Sequence, residues 1–190
     1  MEDLLRGIHV TEMMAADIPF LLDLWSREEV MRYADEFPHP RGWTRRDDVE
    51  TAWADYRRRR RSMGAHYAQL VLRMGNRQPV GESFRFPLDN RFTFGRWRKP
   101  MEDRVLMGDI KLLPEHWGRG LGTAFLGLVL EDAFARTRAD LFVVPPHKRN
   151  AAAVRVYEKV GFARARPPTV HQGHYVMELP RTRFRELRGG

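Results

Sequence analysis

Three groups of residues in this chain have the types and spacing of reaction chemistry. The first is Gly118-Arg119-Gly120-Leu121-Gly122, set between an apolar run that stops at Pro114 and the start of a helix. Glycines at such a turn let an anion approach the backbone, where free N–H groups and the helix dipole face one point. Amides from Gly118 to Thr123 would point at that anion, and Arg119 would add charge at the rim. The second group is Asn150 with Tyr157 seven residues on, along the next helix. A phenol placed beside a leaving group is a proton donor. The third is a pair of carboxylates on neighbouring strands, Asp109 and Glu82. Either could take a proton through a water molecule, or pair with a lysine or arginine.

Other chemistries are excluded or fit poorly. No Gly-Lys-Ser/Thr follows the glycine turn, so a Walker A loop is ruled out. A dinucleotide fingerprint needs a third spaced glycine and an acidic residue closing the next strand, and both are missing. With no cysteine there is no disulfide, thiolate metal site or cysteine nucleophile. His116, His147, His171 and His174 lack metal-ligand spacing, apart from the His171/His174 pair in an expected turn, and are expected at the surface. No metal is therefore expected. Taken by itself, the glycine turn supports phosphate binding no more strongly than helix packing.

The elements that must position these groups follow from hydrophobic periodicity and punctuation. Ile8 to Met13 reads as a first strand. Asp17 as N-cap and Pro19 in the first turn open a helix whose apolar face is Ile18, Leu21, Leu22 and Trp25. Ser26 and Glu29 form a capping box for a short helix through Val30, Met31 and Tyr33. Asp35-Glu36-Phe37-Pro38 begins a loop ending near Trp43, whose acidic and aromatic residues fit a surface turn with a tucked-in aromatic slightly better than a site for a cationic ligand. Thr44 and Asp47 open a helix faced by Val49, Trp53 and Tyr56. It ends in Arg57 to Arg61, which point in every direction around the axis and read as a solvated end.

Tyr67 to Met74 and Val80 to Phe86 form a hairpin about Gly75-Asn76. The loop from Pro87 to Pro100, carrying Phe92, Phe94 and Trp97, is long enough to cover a ligand. Val105 to Leu113 is a central strand, Leu141 to Val144 another, and Val170 to Leu179 a last strand or hairpin turning at Gln172-Gly173. The basic tail from Arg181 is helical around Phe184 and Leu187. This order gives an α+β fold with a mixed sheet and one βαβ crossover, not a fully wound Rossmann sheet.

At 190 residues, without an internal repeat, low-complexity region or linker, the chain reads as one domain over 1–190. Hydrophobic residues at 43% and charged residues at 31% are ordinary for a globular protein. No apolar run approaches the roughly 18 residues of a membrane span, and the N-terminus is no secretory signal, so a cytoplasmic location is expected and no membrane partner. The net charge of +8 suits an anionic partner or simply an arginine-rich surface, and does not choose between them. The arginine run lacks the interleaved aromatics of a nucleic-acid surface, which argues against nucleic acid.

Ile110-Lys111-Leu112-Leu113-Pro114, the glycine turn, and Asn150-Ala151-Ala152-Ala153-Val154-Arg155-Val156-Tyr157 through Gly161-Phe162 occur in that order at matching distances. Together they resemble the GCN5-related N-acetyltransferase (GNAT) family, over a core of about 105–162. Arg32-Tyr33 and the loop after it look like the ribosomal-protein and aminoglycoside 6'-N-acetyltransferase branches. The resemblance implies a GNAT-like fold, a mostly antiparallel twisted sheet of six or seven strands flanked by helices. It implies acetyl-CoA as co-substrate and a primary amine of a small molecule or peptide as acceptor, attacked directly in a ternary complex.

The roles it implies fall on residues of this chain. Ile110, Lys111 and Leu112 lie on a strand splayed from its neighbour and would bind the pantetheine arm. Trp117 stands where the family has Gln or Arg, ahead of the pyrophosphate amides. Asn150 holds the coenzyme arm, and Tyr157 protonates the leaving thiolate. The ribosomal-protein branch carries a glutamate five residues before the asparagine, but Pro145 stands there. Asp109 is then the candidate base, with Glu82 as competitor. Asp35, Glu36 and Trp97 are expected to read the acceptor. The resemblance also admits a homodimer through edge strands or the C-terminal strand. Two alternatives stand beside this reading: an aminoglycoside-type resistance acetyltransferase, and a non-catalytic acyl-CoA-binding regulatory domain.

Overall fold

The computed structural model describes residues 7–34, 48–75, 77–88, 104–165, 170–171 and 173–189. Nine strands and six helices follow in the order β1 (His9–Glu12), α1 (Ile18–Ser26), α2 (Glu28–Met31), α3 (Val49–Met63), β2 (Ala68–Arg73), β3 (Pro79–Pro87), β4 (Val105–Leu112), α4 (Leu121–Arg136), β5 (Leu141–Val144), α5 (Ala151–Val160), β6 (Ala163–Arg164), β7 (Val170–His171), β8 (His174–Tyr175), β9 (Met177–Pro180) and α6 (Arg181–Gly189). Seven strands form one sheet in the order β1-β2-β3-β4-β5-β9-β6, and β7 with β8 forms a separate hairpin. Among the described strands only the β4–β5 pair is parallel, joined by the α4 crossover. The expected α+β architecture is thus the observed one.

Alternation along the central strands assigns the two faces. Leu106 of β4 packs with Leu126, Leu130 and Phe134 of α4 and with Tyr157 of α5. Val105 and Met107, pointing the other way, join Phe84 and Phe86 of β3 under Leu21, Leu24 and Trp25 of α1 and Tyr56 of α3. Asp109 and Lys111 continue this second set, because side chains two apart on a strand share a face.

The β4–β5 ladder pairs Val105 with Leu141, Leu106 with Phe142 and Met107 with Val143, and then stops. β4 continues to Leu112 while β5 ends at Val144 and runs into Pro145-Pro146. Prolines carry no N–H, so these two cannot donate further rungs. The strands part, and β4 keeps only its β3 partner from Gly108 to Leu112.

Several local expectations are corrected. Asp17 stands at the N-cap position of α1, as expected, but its side chain makes no capping bond there. Its carboxylate accepts from the Met14 backbone N–H at 3.0 Å and from Arg73 Nη2 at 2.7 Å, a buried ion pair that holds more than a helix end would. The Ser26/Glu29 capping box is absent: α2 starts at Glu28, and the Ser26 hydroxyl donates back to the Asp23 carbonyl at 2.7 Å. Thr44 and Asp47 lie outside the described residues. The cap of α3 is Asp48, accepting from the Thr51 N–H at 2.7 Å, and Ala52 rather than exposed Val49 joins Tyr56 in the core. Part of the arginine run is tied down: Arg59 Nε meets Asp55 at 2.8 Å and Arg60 Nε meets Glu12 at 2.7 Å. The last segment is a hairpin and a separate strand, with Gly173 at φ 83° between β7 and β8.

Candidate active site

Beyond the last β4–β5 rung lies a cleft with two connected cavities, of about 620 Å³ and 120 Å³. Both are bounded by Ile110 and Lys111 of β4 and by Asn150, Ala153 and Tyr157 of α5. The larger runs from these residues to the glycine turn, and the smaller reaches under Tyr33 to Asp109.

At the far end of the larger cavity, Gly118 at φ 71° and Gly120 at φ 82° hold the left-handed backbone that glycine permits without strain. Gly120 is the N-cap of α4 and offers no side-chain acceptor to the first amides of the helix. Uncapped amides at a helix start form an anion site. Gly122, Thr123 and Trp117 line the same cavity. Trp117 is fixed by its indole N–H, which donates to the Leu112 carbonyl at 2.9 Å, and its ring stays half-exposed at the mouth. Among the described residues, Arg32, Lys111, Arg149, Arg155 and Lys159 line the cavity against one carboxylate, Glu29. That balance fits a polyphosphate, and Arg155 with Lys159 recurs at helical spacing that the sequence displays. Two expected contacts are not brought in as side chains. Arg119 is exposed away from the lining, and Leu121 is fully buried beneath α4, so only its amide can serve.

At the near end, Asn150 caps α5 by accepting the Ala153 N–H at 3.1 Å. The second lone pair of Oδ1 and the Nδ2 donors are what it can offer a ligand. Tyr157 is 4% exposed and packs edge-on against Phe162, with ring centroids 5.5 Å apart. Burial first, and then the charge of Asp109, push its phenol well above the ordinary tyrosine range, while the Ile110 backbone amide opposes part of the shift. The group is a neutral proton donor at any working pH.

The carboxylates are not equivalent. Asp109 lines the smaller cavity and is paired with Lys111 Nζ. Glu82 is fully buried behind that lysine and lines neither cavity. It accepts from Trp25 Nε1 at 2.8 Å, from Gln69 Nε2, and from Lys111 Nζ at 3.4 Å. The structure therefore does not bring Glu82 to where an acceptor would stand. Asp35, Glu36 and Trp97 lie outside the described residues.

Two histidines expected at the surface are buried, each 3% exposed. His147 stacks on Tyr33 at 5.4 Å and meets His174 edge-on at 4.9 Å, and all three line the smaller cavity. The Arg149 N–H donates to His147 Nδ1 at 3.1 Å, which places the proton of its neutral form on Nε2. The sequence hides this pair, because the β-bridge that joins them links residues far apart in the chain. No group of three or more potential metal ligands occurs among the described residues. Nor is any helix among them long and apolar enough to cross a membrane.

The splayed strands, the uncapped glycine turn and the tyrosine in the gap agree with a match over residues 8–163 to the family described as acetyltransferase (GNAT) domain. The chain belongs to that family, and its activity is that of an acetyl-CoA-dependent N-acetyltransferase of an amine. Solved structures share the fold. The aminoglycoside acetyltransferase AAC(6')-Ib in complex with coenzyme A is 19% identical with a TM-score of 0.71, covering 96% of this chain and 99% of that one. The same enzyme with paromomycin and acetyl-CoA is 20% identical with a TM-score of 0.70, covering 96% and 98%. Spermidine N-acetyltransferase from Vibrio cholerae, in complex with CoA and spermine, is 15% identical with a TM-score of 0.69, covering 94% and 98%.

Proposed function

We propose that the chain moves an acetyl group from acetyl-CoA to the primary amine of a small molecule or peptide, by direct attack within a ternary complex. The observation that carries this is the single cleft joining uncapped amides at Gly120, unpaired β4 backbone and Tyr157. The donor supplies an activated thioester. Amides of Gly118 to Thr123 hold the pyrophosphate, with Arg149, Arg155 and Lys159 adding charge. The Ile110–Leu112 backbone, freed where β5 ends, aligns the pantetheine arm. A β4 backbone N–H polarises the thioester carbonyl as a preorganised donor, while the Ile110 amide bonds the Tyr157 oxygen and orients the phenol at the gap. Tyr157 gives its proton to the departing sulfur.

The acceptor enters through the smaller cavity, where Asp109 takes its proton directly or through water, and where the Tyr33 and His147 rings suit a cationic amine. Asp35, Glu36 and Trp97 belong to the same proposal as acceptor contacts. So do one domain over the whole chain, a cytoplasmic setting and a homodimer. An acceptor of the aminoglycoside type is the second reading, favoured by the fold shared with AAC(6')-Ib.

The deciding experiment follows free thiol release from acetyl-CoA over a panel of amines, polyamines, aminoglycosides and peptides. Turnover with at least one class is expected. Tight binding of acetyl-CoA with no turnover across the panel would favour the non-catalytic module instead.

A further inference from the structure

The buried Glu82 has no direct part in the reaction proposed above, yet it holds a residue that does face the cleft. Glu82 and Lys111 are opposite each other in the β3–β4 register, and Asp109 lies two residues before Lys111 on the same face. Lys111 is 9% exposed at its side chain and spans the two carboxylates, with Nζ 5.3 Å from the Phe84 ring centroid. The donors described at Glu82, from Trp25, Gln69 and Lys111, are N–H groups, which suits an ionised carboxylate, an acceptor only. Two carboxylates and one ammonium leave one net negative charge. It falls at Asp109, whose side chain is 26% exposed and faces the smaller cavity.

We propose that Lys111 is a positioning residue for Asp109, shared from behind with Glu82, and that this trio sets the charge met by the acceptor amine. The proposal rests on the acetyltransferase reading for the identity of the acceptor. Glu82 draws part of the ammonium's charge away from Asp109, and the ammonium in turn orients the Asp109 carboxylate. Among the described residues, the other titratable groups around the smaller cavity are Tyr157 of α5, Tyr33 after α2, His147 after β5 and His174 of β8.

The trio makes opposed variants move Asp109 in opposite directions. Removing the ammonium in Lys111→Met destabilises the Asp109 anion, so its carboxyl titrates higher, by about one pH unit. Glu82→Gln deletes a like charge and leaves Lys111 to Asp109 alone, so the carboxyl titrates lower. Lys111→Arg keeps the charge and stays near wild type. Lys111→Met also strands the buried Glu82, which costs stability. The double variant Glu82→Gln/Lys111→Met removes that cost while leaving Asp109 without its ammonium, so it still titrates above wild type.

The test is an NMR pH titration of the full chain carrying 13C-carboxyl aspartate, with the Asp109 signal assigned by its loss in Asp109→Asn. Calorimetry with acetyl-CoA checks that the donor site is intact in each variant. Opposite displacements in Lys111→Met and Glu82→Gln are expected, and the acidic limb of kcat/KM with an accepted amine follows them. Displacement in the same direction, or none in the double variant, overturns the proposal. An amine panel without turnover would sink the acetyltransferase mechanism but leave the carboxyl titration to decide the trio.

Discussion

Tyr157 and Asp109 meet across the gap where β4 leaves β5, one from α5 and one from the strand. The charge of Asp109 adds to burial in holding the Tyr157 phenol protonated. The pair thus separates the two proton roles, a permanent donor at the leaving group and an anionic acceptor at the amine. Tyr157→Phe should lower kcat by about 10²- to 10⁴-fold, the usual range for a lost general acid. Acetyl-CoA affinity should hardly change, since the phenol meets the sulfur only as it departs. Calorimetry beside steady-state rates separates the two. A loss confined to donor affinity would assign Tyr157 to packing of the coenzyme.

The same phenol carries a stability consequence at alkaline pH. Tyr157 and Tyr56 both have pKa values raised above the ordinary 10.0, each mainly by burial. Tyr56 also donates to Glu12 Oε1 at 2.6 Å. Below about pH 10 both are protonated, folded or unfolded, and nothing changes with pH. Above it the unfolded chain releases protons that the folded chain retains, so stability falls as pH rises. Each phenol contributes about 1.4 kcal/mol per pH unit in that window. Urea unfolding between about pH 9 and pH 11.5 should show this decline, shallower in Tyr157→Phe and shallower still when Tyr56→Phe is added. An equal slope in the double variant would exclude the two tyrosines as its source.

The glycine turn predicts an asymmetry within one motif. An alanine at Gly120 keeps open space around its Cβ but must adopt φ 82°, which strains any L side chain. It costs about 1–2 kcal/mol in the backbone and disturbs the uncapped amides, so acetyl-CoA affinity should fall at least tenfold. At Gly122 a Cβ would sit 3.6 Å from Val156 and 3.7 Å from Leu112, ordinary contact distances, with φ already suitable. Gly122→Ala should therefore retain binding and stability. Equal losses in both variants, measured by titration with acetyl-CoA, would contradict the geometry.

How much of this was legible beforehand depends on the range over which each feature is encoded. The glycine turn, Asn150 and Tyr157 lie within short segments whose spacing alone fixes their faces. The parting of β4 from β5 was implied by resemblance, and its cause, Pro145-Pro146, is local. What escaped sequence reasoning is tertiary. Asp17 looks like a helix cap, but Arg73, 56 residues away, claims it. Glu82 looks like a strand carboxylate of either role, and its burial behind Lys111 follows from a β3–β4 register that periodicity does not fix. His147 and His174 are polar residues in turn-rich segments, and only the fold places them against each other and against Tyr33.

The sheet is fastened to α4 by a second buried charge, and here the two partners should respond unequally. Arg85 is 2% exposed; its Nη1 donates to Asp132 Oδ2 at 2.7 Å, and its Nε and Nη2 donate to the Ala65 carbonyl at 3.3 and 3.2 Å. Asp132 has an additional partner, Arg136 Nε at 2.6 Å, and reaches solvent. Losing Asp132 strands a buried guanidinium, whereas losing Arg85 leaves Asp132 still paired and partly hydrated. Asp132→Asn should thus cost about 3 kcal/mol, in the range for breaking one side of a buried pair. Arg85→Met, which replaces the charge with an apolar chain, should cost about 1–2 kcal/mol, mainly for the stranded Ala65 carbonyl. Denaturant midpoints at constant slope measure both. The reverse order would mean that the guanidinium is held by Ala65 and its surroundings rather than by Asp132.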